Sequence, residues 1–379
     1  MEKVLEFPKG FLWGSAVSAY QVEGNNRNCD WYEWEKKGKV KEPCGVACDF
    51  YNRYEEDFKL LEKLNQNAFR LSVEWARIEP KEGEFDKKET EHYKKVLESL
   101  KDKNIKTFVT LHHFTNPIWF AEKGGWENFN SSKYFSRYAK YCAENFGDLV
   151  DFWITINEPL VYITFSYLMG KWPPGKINPF KAFLVFINLI TSHHHSFSTI
   201  KKVLSDSCKV GFAKNNIYFG KFNLLKVLWN HLFITLCAKK YDFIGLNYYM
   251  DKRMIKLGVK RSDTGLVISP VGIFQVLKEL EIYNKPIYIT ENGVADAKDT
   301  LRENFIKDHL LYVNKAVQEG VDIRGYLYWS LIDNYEWHWG FAPRFGLIEI
   351  DRRHGLKRII RNSALYYAKV CKENSVIIN

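Results

Sequence analysis

Apolar and polar positions along the 379 residues fall into one repeated unit, a short strand-like run bounded by turn residues and followed by a helix-like stretch. The runs are Phe11 to Tyr20, Ala68 to Trp75, Thr107 to His113, Phe152 to Asn157, Val210 to Asn215, Phe243 to Tyr249, Ile287 to Glu291 and Gly325 to Ser330. Between them the helical period is plain. From Asp86 to Lys103 the apolar Tyr93, Val96, Leu97 and Leu100 stand at i, i+3, i+4 and i+7 against a charged remainder. Thr300 and Glu303 stand at capping-box spacing ahead of the Leu301 to Val317 stretch and predict a helix start there. Parallel strands need helical crossovers, and eight alternations close a sheet on itself, so the pattern predicts a (β/α)8 TIM barrel. No Pro/Gly/Ser-rich linker, low-complexity tract or longer repeat interrupts it, and residues 1–379 are expected to form a single barrel domain.

Each run ends on polar groups. In order these are Gln21 and Glu23, Glu74, His112 and His113, Asn157 and Glu158, Asn215 and Asn216, Asn247 and Tyr249, Glu291 and Asn292, then Trp329 and Asp333. In a barrel all eight ends open on one face, where this fold keeps its active sites. Any one of them is explained equally well as a loop residue that begins where a strand stops. As a set they are the side chains that grip sugar hydroxyls and faces, rather than the Ser, Asp, Gly and Lys that usually open loops. Two strings stand out, Asn157-Glu158-Pro159 and Thr290-Glu291-Asn292-Gly293, because each puts a carboxylate where a buried apolar run gives way to polar residues. Two carboxylates facing one cavity are the minimum equipment for cleaving a glycosidic bond, and the chain reads as a glycosidase.

Composition narrows the partners. A hydrophobic content of 46% supports a large core. The net charge of +10 raises nucleic acid as a partner, but Lys and Arg are read as scattered among Glu and Asp on helix-like faces. The denser Lys36 to Lys41 and Arg352 to Arg361 read as solvated surface, and no nucleic-acid partner is expected. The longest apolar run, Ala182 to Ile190 broken by Asn188, is too short to span a bilayer, and Met1 to Gly10 lacks the apolar core of a signal peptide. The expectation is a cytoplasmic protein with no membrane partner. Seven cysteines, with Cys44 and Cys48 the only close pair, make neither a disulfide framework nor a zinc site. His193-His194-His195 sits in a helix-like stretch where consecutive side chains point about 100° apart and cannot meet at one ion, so His193 reads as a packed core histidine. No phosphate-binding glycine loop follows a strand. No metal or cofactor is expected.

Nine segments carry a likeness along nearly the whole chain: Phe11–Ala16, Ser18–Gly24, Phe69–Trp75, Thr110–Phe114, Gly124–Trp126, Thr155–Pro159, Gly245–Tyr249, Ile289–Gly293 and Tyr328–Trp337. Together, in this order, they resemble glycoside hydrolase family 1, the retaining β-glycosidases. The resemblance implies Glu158 as general acid/base and Glu291 as nucleophile, with Tyr249 hydrogen-bonded to Glu291. A cation beside Glu291, Arg70, would keep it ionised while Glu158 holds its proton. It further implies a glycone pocket of Gln21, His113, Asn157, Trp329, Glu336 and Trp337, with Phe345 on the far wall and Asn157 on the 2-hydroxyl. Strand alternation sends His112 and His113 to opposite faces, and the family pattern selects His113.

The implied activity is hydrolysis of terminal β-linked glucose, galactose or a related sugar by double displacement, without metal or cofactor. Glu336 implies unphosphorylated substrates, since members acting on 6-phosphorylated sugars lack an acid there. A sugar-binding barrel without turnover and a transglycosylase are the alternatives. The chain departs from the family at Phe114-Thr115, where many relatives carry Trp-Asp, and in the length between the fifth and sixth strands. Asn216 to Asp242 has room for one helix, crowded by Phe219, Phe222, Leu224, Leu225, Leu228, Trp229, Leu232 and Phe233. The segment reads as an ordinary buried helix or a face covered in a homo-oligomer, or else as an apolar rim to the site.

Overall fold

The structure, a computed structural model, describes residues 3–205, 208–220, 224–251 and 260–378. Eight parallel strands close into a barrel: β1 (Leu12–Ala16), β2 (Ala68–Ser72), β3 (Lys106–His112), β4 (Phe152–Asn157), β5 (Lys209–Tyr218), β6 (Phe243–Asp251), β7 (Ile287–Asn292) and β8 (Ile323–Trp329), with β8 paired back to β1. Period-two alternation accounts for the two cores. Ala68, Phe108, Ile154, Ala213, Phe243, Tyr288 and Leu327 fill the barrel interior. Their chain neighbours Phe69, Val109, Trp153, Phe212, Ile244, Ile289 and Tyr326 turn outward into the layer shared with the helices.

That layer is made of α1 (Phe50–Lys63), α2 (Lys87–Asp102), α3 (Ser131–Phe146), α4 (Pro179–Leu204), α5 (224–236, with the π turn Val227–His231 inside it), α6 (Pro270–Leu280), α7 (Arg302–Gln318) and α8 (Asn362–Glu373). In α2 the predicted stripe is buried, and Asp86 caps it by accepting from the N–H groups of Lys88 and Glu89 at 2.8 and 3.1 Å. The two ends of the chain meet, Lys3–Glu6 pairing antiparallel with Ser375–Ile378.

Three local expectations need correction. The first run stops at Ala16 and Ala19–Glu23 is a short helix; the second stops at Ser72 and Trp75–Ile78 is helical. A continuous apolar stretch does not distinguish a buried strand from a buried helical turn. The third concerns α7, which begins at Arg302 with no cap from Thr300. Its first donors, the N–H groups of Leu301 and Arg302, go instead to Asp296 Oδ2 at 2.7 and 3.0 Å.

All seven cysteines are buried free thiols. His193 is packed in the core, between Thr155 Oγ1 at 2.7 Å and the Lys240 carbonyl at 2.6 Å. In the segment between β5 and β6, Phe233 is buried and Trp229 half-buried, whereas Leu224, Leu225 and Leu228 are exposed; Phe222 lies outside the described residues. An ordinary buried helix therefore describes only one side of α5.

Replacing Asp296 by Ala strands two helix-start donors of α7, one buried and one partly so. The expected loss is about 1–2 kcal/mol of stability, read as a lower urea midpoint at unchanged m-value.

Candidate active site

The C-terminal ends of the strands surround a cavity of about 440 Å³. Gln21, His113, Asn157, Glu158, Tyr249, Glu291, Trp329, Glu336, Trp337 and Phe345 all line it. Arg70, the remaining residue singled out from sequence, lies beneath them, fully buried. A larger depression at the opposite end of the barrel is lined by Lys106, Asp151, Asp322 and Arg324, among others, and holds no such constellation.

One hydrogen-bonded chain connects the two central acids. Arg70 Nη1 donates to Glu291 Oε1 at 2.6 Å and Nη2 to Asn157 Oδ1 at 2.7 Å, while Nε reaches Thr110 Oγ1 at 3.1 Å. Asn247 Nδ2 donates to the same Asn157 oxygen at 3.1 Å and to Glu158 Oε1 at 2.9 Å. Tyr249 donates its hydroxyl to the other oxygen of Glu291 at 2.8 Å. Because Asn157 Oδ1 accepts twice, its amide nitrogen donates to His113 Nε2 at 3.3 Å, which leaves the proton of His113 on Nδ1. That Nδ1 has no partner among the described residues.

Glu158 caps the short helix Pro159–Ile163 with left-handed backbone, φ 44° and ψ 59°. Such geometry costs a non-glycine residue about 1–3 kcal/mol and is held here by the Glu158 N–H bond to the Ala213 carbonyl at 2.8 Å. Phe114 and Trp337, also in the cavity wall, are left-handed too.

Burial dominates the electrostatics. It pushes Glu158 up to about 8, with the charge of Glu291 adding to the effect. Burial raises Glu291 as well, and Arg70 and Tyr249 hold it down against that. Arg70 and the Tyr249 phenol hydrogen-bond Glu291, whereas Arg70 reaches Glu158 only by its more distant charge, so the proton of the pair belongs on Glu158. Glu336 is also pushed up to about 8 by burial, although Trp329 Nε1 donates to it at 3.2 Å. Burial and the Arg70 charge lower His113, which is neutral.

Some strand-end residues face elsewhere. Glu23 is tied to Arg77 at 2.9 Å and Tyr93 at 2.8 Å, Glu74 to Thr115, and Asp333 to Arg361 through two bonds of 2.9 Å. His112 bonds Asn116 and Asn292 bonds the Tyr248 carbonyl. Gln21 lines the cavity, but both its amide protons are committed, to Asn334 Oδ1 and the Tyr335 carbonyl. Only an oxygen lone pair is left for a ligand.

Two residues went unassigned from sequence. Asn247 stands two positions before Tyr249, so alternation already put it on the cavity face. Lys214 is a lone cation in an apolar strand run; it is buried, and its Nζ donates to the Asn215 carbonyl at 2.7 Å. Burial lowers it to about 7, against the pull of Glu158. The rest of the wall is largely apolar, with Phe165, Met169, Trp172, Ile217, Trp229 and Leu266 among its members.

Two buried acids at the mouth of a closed barrel, one ion-paired and one protonated, define a carbohydrate-cleaving enzyme. Comparison with known proteins narrows this: the chain belongs to glycosyl hydrolase family 1, whose model matches residues 4–219 and 251–376. It is 33% identical to beta-glucosidase A of Thermotoga maritima over 444 aligned positions, which cover 98% of this chain and 99% of the relative. A beta-galactosidase of Pyrococcus woesei is 30% identical, with 91% and 93% covered. The solved beta-glycosidase from Pyrococcus horikoshii superimposes with a TM-score of 0.92 at 35% identity, covering 99% of this chain and 96% of its own. The break in the family match, 220–250, covers most of the short stretch between β5 and β6.

Replacing Asn247 by Ala removes the side-chain donor that favours ionised Glu158. The Glu158 carboxyl is expected to titrate above its present value of about 8, read by ¹³C NMR of the side-chain carbon.

Proposed function

We propose that the chain hydrolyses terminal, unphosphorylated β-D-glycosides with retention of configuration, Glu291 acting as nucleophile and Glu158 as acid and then base. The observation that carries this is the asymmetry of the pair, since Arg70 and Tyr249 bind Glu291 while Glu158 keeps the proton. A proton on Glu158 goes to the leaving oxygen as Glu291 attacks the anomeric carbon; water, deprotonated by Glu158, then releases the sugar. Asn157, with Oδ1 fixed by Arg70, has its Nδ2 for the 2-hydroxyl, and His113 Nδ1 is a donor for a neighbouring hydroxyl. Trp329 and Trp337 offer apolar faces to the ring, and Gln21, Glu336 and Phe345 complete the glycone pocket. A barrel that binds without turnover has no use for such an asymmetric pair, whereas net transfer to another sugar shares the covalent intermediate and differs only in the acceptor.

The whole of residues 1–379 is proposed as one catalytic domain, supported by the pairing of its two terminal strands. A cytoplasmic location is supported by seven free thiols, which suit a reducing compartment.

With alkyl β-glycosides, whose leaving oxygen needs a proton, kcat/KM should fall as pH rises through about 8, because Glu158 is protonated below that value and loses its proton above it. Glu158→Gln should abolish that limb. It should cost roughly 10²–10⁴-fold on alkyl glycosides and less on nitrophenyl ones, whose leaving group needs no proton. Glu291→Gln should be inactive on both, and NMR of the first-formed product should give the β-anomer. An α-anomer, or full activity in Glu291→Gln, overturns the assignment.

Glu336→Ser should lower kcat/KM on neutral glucosides and galactosides. A gain on 6-phosphoglycosides with no loss on the neutral sugar would remove Glu336 from the pocket's role.

A further inference from the structure

Between Leu160 and Lys240 the chain has eleven lysines, one aspartate and no glutamate or arginine, so this stretch carries a net charge of +10, as large as that of the whole chain. The remaining residues balance to zero. The same stretch holds ten of the eighteen large apolar side chains that are exposed among the described residues. Not all of that charge lies beside the apolar side chains: Lys214 is buried, Lys201 is paired with Asp242 and Lys209 lines the depression at the opposite end of the barrel, so the lysines that count are those named below.

The helices that carry the apolar side chains touch at Phe233: α4 and α5 meet where the Phe186 and His193 rings stand 6.3 and 6.4 Å from that of Phe233. On α4, Phe180, Phe183 and Ile187 follow one another at i, i+3 and i+7 on the face turned from the buried Ala182, Val185 and Leu189, and Phe180 is 88% exposed. On α5, Leu224 and Leu225 are 69% and 54% exposed. This surface runs into the cavity. Met169 is 43% exposed and also lines the cavity, and Trp229, adjacent to the exposed Leu228, lines it as well. Lysines edge the patch: Lys171 at the rim, Lys176 and Lys181 sharing Glu127, and Lys226 paired with Glu279. These pairs trim the positive field locally, since Glu127 and Glu279 come from outside the stretch.

Contiguous exposed apolar side chains mark an interaction surface, and the charge around them selects the partner. A second copy of the chain would bring the same positive field against its own. Nucleic acid would satisfy the lysines but offers no apolar phase for Phe180, Phe183, Leu224 and Leu225. A bilayer with anionic headgroups supplies both. No helix among the described residues is long and apolar enough to cross a membrane, and surface attachment requires none.

We propose that the outer faces of α4 and α5 dock on an anionic lipid surface, turning the cavity mouth toward the bilayer. This departs from the expectation, drawn from the lack of a spanning segment, that the chain has no membrane partner. Resting on the glycosidase reading, it also names a substrate class: β-glycosides whose aglycone is an alkyl or acyl chain, which would lie along Met169, Trp229 and Leu266 as it leaves the membrane.

Flotation of the full chain with vesicles of phosphatidylcholine, with and without phosphatidylglycerol, tests the docking. The chain should float with the anionic vesicles only and be released by salt. Phe180→Asp with Phe183→Asp, both outside the cavity, should weaken binding by roughly tenfold or more while leaving turnover of a nitrophenyl glycoside unchanged. Absence of flotation with either vesicle overturns the proposal. So does a double variant that folds and floats like the parent, or a dimer in sedimentation that the double variant dissociates. Should the variant fail to fold, the parent's anionic-against-neutral comparison still decides. Flotation reads lipid binding without turnover: an inactive chain that floats overturns the glycosidase reading alone, and an active chain that does not float overturns the docking alone.

Discussion

A guanidinium with no exposed surface organises this molecule. Arg70 cannot shed its charge, so its place at the barrel's centre is tolerable only with an anion and acceptors around it. Glu291 supplies the anion from β7, Asn157 and Thr110 supply oxygens from β4 and β3, and the Thr290 carbonyl adds a contact at 3.2 Å. One side chain of β2 thereby fixes the ends of three other strands. The same bonds that stabilise the buried charge hold the carboxylate and amide in position for chemistry, so folding and function draw on one set of contacts.

The cavity holds three acids within a low-dielectric wall, and their protonation follows from how cations are distributed among them. Of the three acids, Arg70 is bonded only to Glu291. Glu158 and Glu336, each pushed up to about 8, are mostly neutral near pH 7. Lys214, lowered to about 7, is itself half-neutral there. The site therefore approaches neutrality without a dense cluster of like charges, which is what a buried group of acids requires.

The barrel was legible because its strands are buried on both sides and read as apolar runs, and because each run ends where polar chemistry begins. The cavity residues were legible for the same reason: Glu158, Glu291, Asn157 and Trp329 close or follow their strands. What escaped depends on contacts between distant segments. Asp296 caps α7 from a preceding loop, a role that spacing alone assigns to Thr300 and Glu303. The apolar crowding of α5 could be read, but not which of its leucines meet water, because that is set by where Phe233 packs against α4. Lys214 and Asn247 gained their meaning only when β5 and β6 brought them beside Glu158.

The sealed thiols have a practical corollary. Burial raises the pKa of Cys29, Cys44, Cys142 and Cys237 well above that of a free thiol, so the nucleophilic thiolate scarcely exists while the core is intact. Alkylating reagents then reach sulfur only through opening of the barrel, and the speed of labelling becomes a clock for global unfolding that needs no engineered probe.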